Sequence, residues 1–513
     1  MKAFLLFRDR DFDLKGKLPA NEAGLTQDLE LETLFDAMAL GDGFLFEVAK
    51  RAVLSGLGND VNTILYRQDI LKDCLENPSV VRSLYNVAVE SIAAEKKAYF
   101  FSYFTKYPGA ILSRSIEVLQ MFVGMLKKLR GIADEHGGKF ESEGFTTLFA
   151  MLKRELGDDY FAAIENHLKE LKFNEGVLIS AELGKGNKGI RYVLRKSQEK
   201  KQNWFERIFA KKPPVYTFNL HPRDESGARF LSEMKDRGIN LVANALAQST
   251  DHILSFFNML RVELAFYVGC LNLHEELSRM GEPTSFPVPV GPHERRHSVR
   301  GLYDVCLALT MKRRVVGNDM NADGNNLVII TGANQGGKST FLRGIGLAQL
   351  MMQCGMFVPA ESFSSNVCDG LFTHYKREED TTMKSGKLDE ELSRMSDIID
   401  KITSNSMMLF NESFAATNER EGSEIARQIV GALLEKRLKV FFVTHFYQFA
   451  HGFVGQKGRN ALFLRAERQA DGIRTFKLIE GEPLQTSYGE DLYKTIFGNN
   501  NSYQAEHGTK HHE

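Results

Sequence analysis

Residues Gly332 to Ser339 read Gly-Ala-Asn-Gln-Gly-Gly-Lys-Ser, between an apolar run, Leu327–Thr331, and a helical stretch from Ser339 to Cys354. That order restricts the fold severely: the run must be a strand whose chain turns through a glycine loop into a helix N-terminus. The glycines let backbone N–H groups wrap an anion, and the helix dipole favours negative charge at the same point. Lys338 supplies a point charge to β- and γ-phosphates, and Ser339 a hydroxyl to Mg²⁺. The expected nucleotide contacts are therefore Gly332, Ala333, Asn334, Gln335, Gly336, Gly337, Lys338, Ser339 and Thr340. A chance glycine turn would not have a strand and a helix on the correct sides.

Two more apolar runs, Met407–Phe410 and Lys439–Thr444, alternate with helical stretches, the pattern of a parallel sheet covered by helices. The first ends in Asn411-Glu412, where a nucleotide hydrolase places a metal-orienting residue and a carboxylate that polarises the attacking water. Asn411 can accept a hydrogen bond from a metal-bound water, but it carries one negative charge fewer than the usual Asp, so slower turnover or a higher Mg²⁺ requirement is expected. Glu412, Lys338 and His445 are the candidate catalytic residues, His445 as a sensor of the γ-phosphate, and Ser339 and Asn411 the candidate metal residues. Taken alone, His445 reads more readily as a structural histidine than as a sensor. Ala461–Ala466 and Arg474–Ile479 flank Asp471-Gly472 as a hairpin.

The half before residue 283 has another character. Leu31, Leu34, Phe35 and Met38 recur at helical spacing, as do residues in 111–129 and 145–156. Short β-type runs interrupt this pattern at Val177–Ile179, Tyr192–Leu194 and Val215–Phe218, and residues 227–280 then suit a helix pair. Four of the chain's 12 prolines fall between Pro283 and Pro292, which predicts an extended linker. The expected organisation is an all-α domain over 1–282 with a small β insertion at about 176–220, a Pro-rich linker over 283–300, an α/β domain over 301–498 and a polar tail over 499–513. The 513 residues suffice for about three compact units or two larger ones. Five scattered cysteines without a Cys-x-x-Cys pair suit reduced thiols, and the N-terminal apolar run is too short for a signal peptide. The expectation is a cytoplasmic protein without membrane spans, since Ile253–Leu273 contains Arg261 and Glu263 and reads as a core helix.

Thr331 to Thr340, continuing through Leu342-Arg343 to Gly355-Met-Phe-Val-Pro359-Ala360, resembles the ATPase domain of the MutS DNA mismatch-repair family. Asn411 to Gly422 is similar to its Walker B segment and following loop, Val443-Thr444-His445-Phe446 to its terminal histidine switch, and Gly481 with Ser487-Tyr488-Gly489 to its closing hairpin. The resemblance implies an ABC-type P-loop NTPase domain that binds ATP with Mg²⁺, releases ADP and acts on DNA in repair or recombination. It also implies a homodimer or heterodimer through the ATPase domains, in which a partner's loop, here Ala415, Ala416, Thr417 and Asn418, completes each site. The helical half then corresponds to the core and lever helices, and the β insertion to a DNA-contacting clamp. The chain departs from the pattern where Leu388-Asp389-Glu390 replaces Ser-Thr-Phe after Ser385-Gly386-Lys387. Mismatch-reading and connector domains are not expected ahead of the helical core, nor a full helix-turn-helix after Gly489.

Charge is balanced overall, 65 Lys+Arg against 66 Asp+Glu, so a nucleic-acid surface must be local. Gly184 to Lys212 holds ten basic residues and two acidic ones. Lys185, Lys188, Arg191, Arg195, Lys196, Lys200 and Lys201 are candidate DNA contacts, with Tyr192, Trp204 and Phe205 as stacking groups; a solvated loop accounts for the same residues equally well. Two functions remain open at this level: ATP-driven switching on DNA without mismatch readout, or a nucleotide-gated protein-interaction switch with weak turnover.

Overall fold

The computed structural model describes residues 1–100, 107–174, 176–196, 216–377, 386–455, 461–468 and 474–485. A helical region comes first: α1 (Glu22–Asp28), α2 (Leu31–Ala39), α3 (Gly43–Ser55), α4 (Val61–Glu76), α5 (Pro78–Phe100), α6 (Pro108–His136), α7 (Glu143–Glu155) and α8 (Asp158–Glu170). Helix α2 buries Leu31, Leu34, Phe35 and Met38, the face its spacing predicts. Side chains start the next helices: Asp42 accepts from Phe44 and Leu45 N–H at α3, and Asp60 from Thr63 N–H at α4.

An antiparallel hairpin, β1 (Leu178–Leu183) and β2 (Gly189–Arg195), forms the insertion. Tyr216 to Phe218, expected to be β, are exposed and outside any strand, and Val215 lies outside the described residues. Nor do residues 227–280 form a helix pair: one 55-residue helix, α9 (Glu225–Arg279), runs through them. No proline interrupts that stretch, and its glycines at 227, 238 and 269 are tolerated as close-packing points. Both α9 and the 108–139 stretch are long and apolar enough to cross a membrane, yet most of the α9 window is buried within protein. Within it Glu263 accepts from Leu5, Leu6 and Phe12 N–H, and Tyr267 Oη donates to Leu5 O at 2.6 Å.

The α/β part follows: β3 (Val288–Val290), β4 (His297–Leu302), α10 (Val305–Met311), β5 (Asn318–Asn321), β6 (Leu327–Thr331), α11 (Lys338–Gln353), β7 (Ser362–Asn366), β8 (Leu371–Tyr375), α12 (Lys387–Ile399), β9 (Met407–Asn411), α13 (Glu419–Glu435), β10 (Lys439–Val443), α14 (Tyr447–His451), β11 (Ala461–Arg468) and β12 (Arg474–Glu480). Six strands form one sheet in the order β12-β11-β6-β10-β9-β8, parallel except for the terminal hairpin. Every residue of β6 and β10 is buried, as a sheet covered on both faces requires. Phe410 and Phe442 stack at 4.8 Å in the core beneath α13 and α14.

A second, mixed sheet, β3-β7-β4-β5, has no counterpart in the sequence reading. It places β3 and part of β4 in the stretch expected to be a linker: Pro289 pairs with Ser365 in β7, because an edge position demands no N–H from proline.

The chain divides into two compact units. One contains Met1–Ala3, Ser79–Glu141 and Phe145–Arg261; the other contains Phe4–Pro78, Ser142–Gly144 and everything from Val262 onward. The division thus falls inside α9, not after residue 282, and α1 to α4 belong with the α/β sheets. Within that second unit Arg67 Nε donates to Leu6 O at 2.8 Å, Gln68 Nε2 to Pro287 O at 3.1 Å and Asn59 Nδ2 to Gln353 O at 2.9 Å. Gly56 lies against α11 so closely that an added Cβ would come within 2.8 Å of Cys354 Cα.

Candidate functional site

Strand register brings the predicted residues to the C-terminal ends of the parallel strands of the six-stranded sheet. Ile330 pairs with Val443, and Val443 with Asn411, so the chain leaves β6, β10 and β9 at neighbouring points. Gly332, His445 and Glu412 each follow within two residues of those ends. The loop from Gly332 to Gly337 then turns into α11, whose first residue is Lys338.

Glycine is required here on two grounds. Gly332 and Gly337 hold φ values of +109° and +87°, where an L side chain is strained. β11 also crowds the loop: a Cβ on Gly332 would lie 2.9 Å from Ala466 N, and one on Gly336 2.7 Å from Ala466 Cβ. Gln335, at φ +59°, accepts from Arg474 Nη1 at 2.6 Å, which ties the loop to β12.

Lys338 is buried, and its Nζ donates to Gly332 O and Ala333 O, each at 2.9 Å. Burial lowers its pKa, the Glu412 charge opposes that shift, and Arg474 adds to it. Ser339 Oγ donates to Asn411 Oδ1 at 2.8 Å, so the two candidate metal residues meet across the strand end. A hydroxyl beside an amide oxygen is an all-oxygen donor pair that suits Mg²⁺. Glu412 adopts φ +52° and its N–H donates to Val443 O at 2.9 Å, a strained turn that fixes the carboxylate-bearing residue at the end of β9. His445 is exposed, its ring edge-on to Phe446 at 4.8 Å.

The loop Ala415, Ala416, Thr417 and Asn418 leads from this turn into α13. Asn418 caps that helix by accepting from Glu421 N–H at 3.1 Å, and Thr417 Oγ1 donates to Glu421 Oε2 at 2.6 Å. Side-chain hydrogen bonds from Thr417 first and Asn418 second hold the Glu421 carboxyl below its ordinary range.

Sequence reasoning missed a cavity of about 420 Å³ beside the phosphate loop. Gln335, Gly337 and Thr340 form one side of it, and Val315, Val316 and Phe476 supply apolar surface. Asn318 braces it, donating to Phe476 O at 3.2 Å and accepting from Leu478 N–H at 2.7 Å. No motif marks these residues; the pairing of β12 beside β11 brings Phe476 to the loop, and the Asn318 bonds to β12 hold the Val315–Val316 segment next to it.

On the hairpin, Arg191 pairs with Glu182 at 3.1 Å, Lys196 with Glu170 at 2.9 Å, and Arg195 Nε donates to Ser180 Oγ at 2.9 Å. Lys185 and Lys188 are exposed, with no ion pair among the described residues. Tyr192 lies under Arg237, 5.9 Å from ring centroid to guanidinium. Lys200, Lys201, Trp204 and Phe205 lie outside the described residues, as do Ser385, Ser487 to Gly489 and the 499–513 tail.

Residues 59–280 match the family model of the MutS2 N-terminal domain, and residues 328–501 that of MutS domain V. The chain is 24% identical over 422 residues to the DNA mismatch repair protein MutS of Clostridium kluyveri, a match covering 76% of this chain and 47% of that protein. It is 29% identical over 204 residues to MutS protein homolog 4 of Mus musculus, covering 37% of this chain and 21% of that one. With DNA mismatch repair protein MSH3 of Arabidopsis thaliana the identity is 35% over 178 residues, 34% of this chain and 16% of the relative. The chain therefore spans about half or less of the length of these relatives. Its two matched regions are the helical part and the sheet that carries the phosphate loop, and the chain belongs to the MutS family.

Proposed function

We propose that the α/β domain is a P-loop ATPase of the ABC type that binds ATP with Mg²⁺, hydrolyses it to ADP, and uses the cycle to switch the chain's hold on DNA. The observation that carries this reading is the convergence of Lys338, the Ser339–Asn411 pair and Glu412 at the C-terminal ends of neighbouring parallel strands, beside a cavity large enough for a nucleobase. Gly332 to Thr340 hold the phosphates. Lys338 exchanges its two loop carbonyls for phosphate oxygens. Ser339, and Asn411 through a metal-bound water, would hold Mg²⁺, which would supply positive charge to the phosphates. Glu412 orients and polarises the attacking water, and His445 reads the γ-phosphate. Val315, Val316 and Phe476 offer apolar surface for the base. In a dimer through the ATPase domains, Ala415 to Asn418 of one copy complete the site of the other.

A second reading, a nucleotide-gated protein-interaction switch with weak turnover, is favoured by two observations. Asn411 lowers the negative charge at the metal, and Arg191 and Lys196 are already paired with local carboxylates.

Single-turnover hydrolysis separates the two readings. Glu412→Gln should bind ATP as wild type does and lose at least about 100-fold in rate. Asn411→Asp should reach half-maximal rate at lower Mg²⁺. Linear, mismatched or branched DNA should stimulate the wild type. Absence of both binding and stimulation with every DNA would refute the DNA reading and leave the nucleotide site standing.

A further inference from the structure

At the end of the six-stranded sheet opposite the Gly332–Gly337 loop, where the parallel strands start, Lys439 begins β10 beside Met407, the first residue of β9. A cavity of about 20 Å³ lies there, lined by Arg295, Asn326, Asn366, Asn405, Arg437 and Lys439 among others. Lys439 is 5% exposed, and its Nζ has no hydrogen-bond partner among the described residues. Arg295 donates to Asn326 Oδ1 and to Arg437 O, so its guanidinium is held by neutral groups. Arg295 and Arg437 both line the cavity, and the charge of Arg437 reaches Arg295, so two further cations lie near Lys439.

Counter-charge within the protein is scarce. Asp323 is the acid whose charge reaches Lys439, and its Oδ1 is already engaged by His297 N–H at 2.7 Å. His297, fully buried, is held neutral by burial and by the charge of Lys439. A buried ammonium without a partner is costly, and removing it from water is not offset unless charge or hydrogen bonds are supplied.

We propose that this cavity binds a small monatomic anion of chloride size, held by the Lys439 ammonium with Arg295 and Arg437 beside it. Size decides the class. The volume admits roughly one water-sized occupant, which excludes sulfate or a phosphomonoester from the interior. Burial pushes Lys439 down to about 7, so without a counter-ion much of the population gives up its proton at neutral pH; a bound anion reverses that. The bound ion secures the starts of β9 and β10, whose far ends carry Asn411 and Val443. This assignment is independent of the nucleotide reading.

Thermal unfolding of the full chain at constant ionic strength, with gluconate replaced stepwise by chloride, tests it. Wild type should gain about 2–4 °C in a saturable manner. Lys439→Met, which keeps the chain length and removes the charge, should not respond. Bromide provides a second readout that needs no variant: crystals of the chain grown in bromide should show an anomalous peak beside Lys439 Nζ. An equal chloride response in wild type and Lys439→Met, or a bromide map empty at the cavity, overturns the proposal. So does stabilisation by sulfate that requires Lys439 where chloride has none.

Discussion

Asn411 and Glu263 illustrate how much a single position can say before its neighbours are known. Asn411 is legible because it ends an apolar run before a carboxylate. Its bond to Ser339, 72 positions away, is a consequence of β6 and β9 both flanking β10. Glu263 looks anomalous in an apolar stretch until Leu5, Leu6 and Phe12 are found to donate to it. Burial still dominates those bonds and raises its pKa from 4.5 to about 7. Between these values the folded state keeps a proton that the unfolded state has lost, so stability falls as pH rises through the interval and levels off above it. The loss should be roughly 2–4 kcal/mol. Urea unfolding of wild type and Glu263→Gln between pH 4 and about 8 checks this: the Gln variant should lack that slope, and an unchanged slope would assign it to another group.

At the scale of elements, local signals identified α2 through its apolar period and the start of α11 through its glycine loop. They failed for β3 and β4, because proline composition reads as linker until an edge position beside β7 makes a missing N–H harmless. A continuous α9 replaced the expected pair because no residue within it terminates a helix. The Ala415 to Asn418 loop, proposed above to complete a second copy's site, has a local role of its own. Its Asn418 cap stabilises α13 whether or not a second copy reads the loop. Asn418→Ala should therefore cost about 1 kcal/mol in urea unfolding, and Asn418→Asp, which caps as well, should restore most of it. An Ala variant as stable as wild type would mean that the cap contributes nothing.

For the whole molecule, neutrality of charge conceals a local excess. Among the described residues of the β1–β2 hairpin, Lys185 and Lys188 stand exposed and unpaired, whereas Arg191 and Lys196 have carboxylate partners. If the hairpin contacts DNA, Lys185→Glu with Lys188→Glu should weaken binding at low salt and reduce the slope of log affinity against log salt by about 2. Binding titrations across a salt series give both quantities. An unchanged slope would remove these lysines from the proposed interface and leave the proposed nucleotide site standing.

The amino-acid sequence alone determined the α/β character of the second half, the phosphate loop, and the candidates Lys338, Ser339, Asn411 and Glu412. Each of these depends on residues close in the chain: a glycine spacing, an apolar run, a polar pair at its end. Only the tertiary structure decided that residues 4–78 join the sheet-bearing unit, that Val315, Val316 and Phe476 line a cavity beside the loop, and that Lys439 is buried with no hydrogen-bond partner for its Nζ among the described residues. Those facts come from strand order and from contacts between residues far apart in sequence. Local periodicity carries no record of either, because it reports which face of an element is apolar and not which element will cover it.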